Sequence, residues 1–174
     1  AYREEIERLV PIHHGQLVDF TGDNFLAHFS SSVAAVECAM DIQQILKTRN
    51  QALPEGQRMQ FRLGVHQGDV RIEGGRVFGT GVNVAARLEA LADPGGICIA
   101  GSVNDQLQGR LNLRTESMGN RSVKNISEPV PVHRLLLEDA SQSSATIPRD
   151  LIGSRRNLPV MAGIVAILVM LGAF

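Results

Sequence analysis

The sequence predicts an α+β domain, a mixed β-sheet with flanking helices. Three observations carry that expectation. Apolar runs of strand length bracket turn residues at 22–24 and again at 74–75. Between them lies a stretch whose apolar positions recur at helical spacing. Helices and strands then alternate along the chain, with hairpins among them. The chain has 174 residues, 44% hydrophobic and 20% charged, which suffices for one globular core and a short appendix.

Residues 2–13 read as a helix, with Ile6, Leu9, Val10 and Ile12 as its apolar positions and Gly15 following. LVDFTGDNFLAHF, residues 17–29, reads as strand, turn, strand. Phe25, Ala27 and Phe29 point to one side, and Leu26 and His28 to the other. Ser30 to Ser32 offer N-caps for a helix running to about Asn50. Ala35, Ala39, Ile42 and Leu46 form one stripe along it. NQALPEGQR is a loop. FRLGVHQGDVRIEGGRVFG reads as two strands around the Gly74-Gly75 turn. VNVAARLEALAD is a helix stopped by Pro94, Gly95 and Gly96, and ICIA is a short buried strand. Ser102 caps a short helix, VNDQLQ. LNLRTES, SVKNI and VPVHRLLL are strands ending at Leu137.

The domain so outlined is 1–138. A polar and basic linker, 139–157, follows it. Residues 158–174, LPVMAGIVAILVMLGAF, carry no charge. A helix over this run would span about 25 Å, against about 30 Å of hydrocarbon. The expectation is a transmembrane helix truncated by the end of the chain. Arg155 and Arg156 just ahead of it predict an inner or plasma membrane location with the domain cytoplasmic.

The formal net charge of -1 offers no basic footprint for nucleic acid, and the lack of Trp removes the best stacking platform. Cys38 and Cys98 sit in apolar runs and read as small core residues of a reducing compartment. His13, His14, His28, His66 and His133 are scattered without metal spacing and read as structural or exposed.

Asn83 and Arg87 are four apart and share a helix face, distinct from that of Val84, Leu88 and Leu91. An amide beside a guanidinium can orient a sugar and hold a phosphate oxygen. Gly79 and Gly81 at the helix start allow an anion to approach the backbone. Each signal alone fits an ordinary solvated helix face equally well. Lys124, alone on its strand, reads as a surface charge.

Their order along the chain is more specific. GDNFLAHF, FRLGVHQGDV, FGTGVNVAARLEA, PGGICIA and VKNI follow one another as in the catalytic domain of class III nucleotidyl cyclases, which the chain resembles over about residues 2–137. The resemblance implies a ferredoxin-like cyclase fold. It also implies a head-to-tail homodimer whose sites lie at the interface, a nucleoside triphosphate substrate, and two Mg²⁺ or Mn²⁺ ions per site. By the same resemblance Asp23 holds metal, Asn83 orients the ribose, Arg87 stabilises the α-phosphate and Lys124 binds the β- and γ-phosphates.

The pattern departs from the family in two places. The first metal aspartate of the family lies on a strand that would precede Ala1, so the chain as it stands is expected to be inactive. The adenine-reading lysine falls at Asp19 and its aspartate partner at Arg76, so the charges are exchanged. Asp19 and Arg76 can satisfy the edge of adenine or of guanine, or pair with each other away from the base. The expected reaction is ATP to cyclic AMP and pyrophosphate. Guanylate cyclisation and a catalytically silent dimerisation or nucleotide-sensing module are the alternatives.

Overall fold

The structure, a computed structural model, describes residues 2–21, 24–69, 71–73, 76–122, 128–137, 165–166, 168–169 and 172–173. Helix α1 (Tyr2–Ile12) buries Ile6, Leu9 and Val10 and stops at His14, whose φ of 57° is left-handed. Ile12 is 55% exposed, contrary to its place in the predicted apolar set, because it lies at the helix end where the stripe leaves the core. Strands β1 (Gly15–Thr21) and β2 (Asn24–Phe29) form the expected antiparallel hairpin. Phe25, Ala27 and Phe29 are buried, as the period of two requires.

Helix α2 (Ser32–Gln51) is capped by Ser31, which accepts from the Ala34 N–H. Its predicted stripe of Ala35, Ala39, Ile42 and Leu46 is buried. Gln43 is buried among them, and its Nε2 donates to the carbonyls of Phe61 (2.9 Å) and Gly96 (3.0 Å). This amide ties α2 to two segments distant in sequence. Gln43→Leu keeps the volume and removes both side-chain bonds, leaving each carbonyl its backbone donor, Gly95 N–H for Phe61 and Leu63 N–H for Gly96. The expected cost is about 1–3 kcal/mol, read as a lower urea midpoint at unchanged slope.

The stretch expected as two strands is divided into five: β3 (Gln60–Phe61), β4 (Leu63–Val65), β5 (Gln67–Gly68), β6 (Arg71–Glu73) and β7 (Arg76–Phe78). Only β6 and β7 make the predicted hairpin. Helix α3 (Thr80–Leu91), strand β8 (Ile97–Ala100), helix α4 (Gly101–Leu107), and strands β9 (Thr115–Arg121) and β10 (Val130–Leu135) complete the domain. Ser102 does not cap α4. The chain turns from β8 straight into the helix at Gly101, where a Cβ would press on Pro131 at 2.9 Å, and Ser102 falls inside the first turn. LNLRTES becomes strand only from Thr115. SVKNI lies outside the described residues apart from Ser122, as does the linker 139–157.

The main sheet has the order β1-β2-β12-β4-β8-β10-β9. β4 and β8 pair in parallel and the other pairs are antiparallel, so the sheet is mixed as expected. Its insertion β12 (Leu168–Val169) comes from the apolar C-terminal run, together with β11 (Val165–Ala166) and β13 (Gly172–Ala173). This corrects the expected transmembrane helix. Every described residue of 158–174 is strand, and among the described residues no helix is long and apolar enough to cross a membrane. The physical reason is twofold. Val165 and Val169 are β-branched and suit a pleated surface. The facing edges of β2 and β4 also present backbone donors and acceptors that a strand between them satisfies.

Candidate active site

Helix α3 directly follows β7, and the two are joined at Gly79, whose φ of 146° is open to glycine alone among common residues. No side chain caps α3, so its position depends on what it packs against. Val84 and Leu88 are buried, as is the row Gly81, Ala85 and Glu89 at spacings of four. Asn83 and Arg87 are both exposed. Each is displaced by about 200° around the axis from the neighbouring buried row, on the opposite side of the helix. The predicted amide and guanidinium pair therefore shares one open face.

β1 lies beside β7. The strand carrying Asp19 and the strand carrying Arg76 are thus brought together next to α3, although they are far apart in sequence. Asp19 is exposed, opposite Leu26, where the register of the β1–β2 pair shifts between Leu17 and Asp19. Such a bulge re-aims the side chains that follow it. Arg76 opens β7, in register with Glu73. Asp23 and Lys124 lie outside the described residues; Thr21 and Asn24, which flank the 22–23 pair, are partners across β1 and β2.

A cavity of about 660 Å³ lies elsewhere, lined by Met40, Lys47, Arg58 and Met59 among others, and none of the nominated residues contributes to it. Among the nominated residues that the structure describes, Asp19, Asn83 and Arg87 are exposed. Burial pushes the thiols of Cys38 and Cys98 up, to about 12 and about 11, which rules out a thiolate nucleophile and supports their reading as core residues.

Sequence reasoning missed the row Arg62, Gly64 and His66. These alternate with the buried Phe61, Leu63 and Val65. His66, expected to be structural or exposed, is half-buried, with its Nδ1 buried and without a hydrogen-bond partner among the described residues. Burial lowers its pKa to about 4, so the ring is neutral. Arg62 Nε donates to Glu89 Oε1 at 3.0 Å. Burial raises the Glu89 carboxyl above its ordinary value, opposed by the Arg62 charge. The available signal was the strand period, which sets 62, 64 and 66 on one side.

The adenylate and guanylate cyclase catalytic-domain model matches residues 2–135. Over 131 residues the chain is 44% identical to a Rhizobium meliloti (strain 1021) protein that bears an adenylate cyclase name, covering 75% of this chain and 22% of that protein. It therefore spans about a fifth of that relative's length. The adenylate/guanylate cyclase/hydrolase from Silicibacter pomeroyi superposes with a TM-score of 0.73 at 40% identity, over 77% of this chain and 79% of that one. The catalytic core of a rhodopsin-guanylyl cyclase with converted specificity, in complex with ATPαS, superposes with a TM-score of 0.66 at 21% identity, over 78% and 79%. This last likeness is one of fold.

Proposed function

The chain belongs to the adenylate and guanylate cyclase catalytic-domain family, and from that premise we propose that it cyclises a nucleoside triphosphate, ATP ahead of GTP, to the 3′,5′-cyclic monophosphate and pyrophosphate. The observation that carries the reading is the open face of α3, where Asn83 and Arg87 share one exposed side, on a helix that contacts β7, the strand of Arg76, which in turn lies beside β1, the strand of Asp19. In the reaction the substrate's 3′-oxygen forms a bond to the α-phosphorus and the bond to the β-phosphate oxygen breaks. Asn83 orients the ribose. Arg87 holds the charge that develops at the α-phosphate, and a prepositioned cation there acts on the transition state. Lys124 binds the β- and γ-phosphates.

Oxygen donors suit Mg²⁺ or Mn²⁺, and the β1–β2 turn offers two kinds. One is the Asp23 carboxylate; the other is Asn24 Oδ1, a buried acceptor with no hydrogen-bond partner among the described residues. Among those residues no group of three His, Cys, Asp or Glu could hold a metal. Phosphate oxygens, water and a second carboxylate would complete the set. When bound, the ions neutralise the triphosphate charge.

A head-to-tail homodimer is supported by the openness of the face and by Phe78, which is 50% exposed just ahead of α3. Asp19 and Arg76 are the base readers in this reading. A fold shared with a guanylyl cyclase core of converted specificity leaves the purine to side chains.

The test is product formation by the natural full-length protein with Mn²⁺, ATP and GTP being supplied separately. Cyclic AMP in excess of cyclic GMP is expected. Asp19→Lys combined with Arg76→Asp should raise the ATP preference about tenfold, the scale of one good base-edge pair. Unchanged selectivity would remove these two residues from base recognition. Turnover of neither nucleotide would leave the second reading, a silent dimerisation or nucleotide-sensing module, which the exchanged charges at 19 and 76 favour.

A further inference from the structure

We propose that Arg62 is a positioning residue, which together with Gly64 grips the buried row of α3 and so sets where Asn83 and Arg87 stand. The inference rests on the cyclase reading of that face. Two contacts and one close backbone approach support it. At one end of α3, Arg62 Nε meets Glu89 Oε1 at 3.0 Å, with the Glu89 side chain only 4% exposed. In the middle, Gly64 lets the helix backbone rest directly on the strand. A Cβ there would overlap the Ala85 carbonyl oxygen and come within 2.5 Å of the Glu89 nitrogen. At the other end, a Cβ on Gly68 would lie 3.0 Å from His66 Nε2 and 3.3 Å from Gly81 Cα, so the Gly68 backbone stands close to the first turn of α3.

The spacing on the two elements matches. Positions 62, 64 and 66 share one side of an extended chain, and 81, 85 and 89 share one side of a helix. The strand and helix rows run in opposite senses, so Arg62 meets Glu89 and Gly64 meets Ala85 in turn. Small residues at 64, 81 and 85 allow close approach, but alone they would let the helix slide or roll. The Arg62–Glu89 pair is directional and largely desolvated, and breaking it would leave a buried carboxylate unpaired. Without a side-chain N-cap, α3 has no comparable anchor at its own start. A roll of the helix would carry Asn83 and Arg87 with it, and small misplacements of such groups have large rate effects.

The experiment compares wild-type full-length protein with Arg62→Met and Glu89→Gln. Cyclase kinetics and amide hydrogen exchange are both measured on folded protein. For Arg62→Met the expected result is a fall in kcat of at least tenfold, with the triphosphate KM changed less than threefold. Amides of 80–91 should exchange at least tenfold faster while those of α2 are unchanged. Glu89→Gln keeps the volume and one acceptor, so it should lower kcat at least threefold. If Arg62→Met does not fold, that variant decides the matter. Lower thermal stability with unchanged kcat and unchanged α3 exchange would overturn the proposal. If the wild type turns over neither ATP nor GTP, the cyclase reading fails by itself. The exchange data then still decide whether the pair holds α3, and equal exchange in variant and wild type rejects it.

Discussion

Arg87→Ala is expected to lower cyclase kcat in the full-length protein by about 10²–10³-fold, the usual consequence of removing one prepositioned electrostatic donor. KM for the triphosphate should change little, because the interaction is strongest where charge develops at the α-phosphate. The fold should be spared. Arg87 is exposed on α3, and Ala is the best helix former, so stability should stay within about 0.5 kcal/mol. Arg87→Lys should recover only part of the rate, since an ammonium lacks the planar fork of a guanidinium. Initial-rate kinetics with a circular-dichroism melt on the same samples separate the two effects. An Arg87→Ala protein with wild-type kcat would remove this residue from the chemistry.

Gly64→Ala is expected to be strongly destabilising. The added Cβ would meet backbone atoms, the Ala85 oxygen and the Glu89 nitrogen, which cannot rotate away as a side chain can. The strand, the helix or both must move. Overpacking of this kind costs about 1–3 kcal/mol, a fall in Tm of roughly 5–10 °C for a domain of this size. Activity should fall further than stability, because the helix displaced is the one bearing Asn83 and Arg87. Gly56→Ala is the control. A Cβ there has nothing within 4 Å, and the expected change is within about 0.5 kcal/mol. Thermal unfolding of the two variants side by side checks the contrast; equal melting temperatures would refute it.

The apolar C-terminal run shows where sequence periodicity loses its grip. A run without charges suits a lipid-facing helix and an inserted strand equally well, since both surroundings are apolar. Choosing between them depends on whether an open backbone edge lies within reach, and that edge belongs to β2 and β4, more than a hundred residues earlier. The five-way division of 60–78 had a similar cause. Its bends follow the elements it crosses, not its own pattern of apolar residues. His66 was read as structural or exposed, and its half-buried ring agrees with the first of these, but an isolated histidine says nothing of what will cover it.

What the amino-acid order determined by itself was everything that local periodicity and an ordered motif string can encode. It marked the hairpin burying Phe25, Ala27 and Phe29, the stripe of α2, the family, and the Asn83–Arg87 face, which needs only a spacing of four on a helix. Tertiary structure alone decided the rest. It set β1, the strand of Asp19, beside β7, the strand of Arg76. It also joined Arg62 to Glu89 across 27 residues and laid the backbone of α3 on Gly64. These are long-range contacts between residues with no shared period. Only chain closure and packing of the whole domain bring them together.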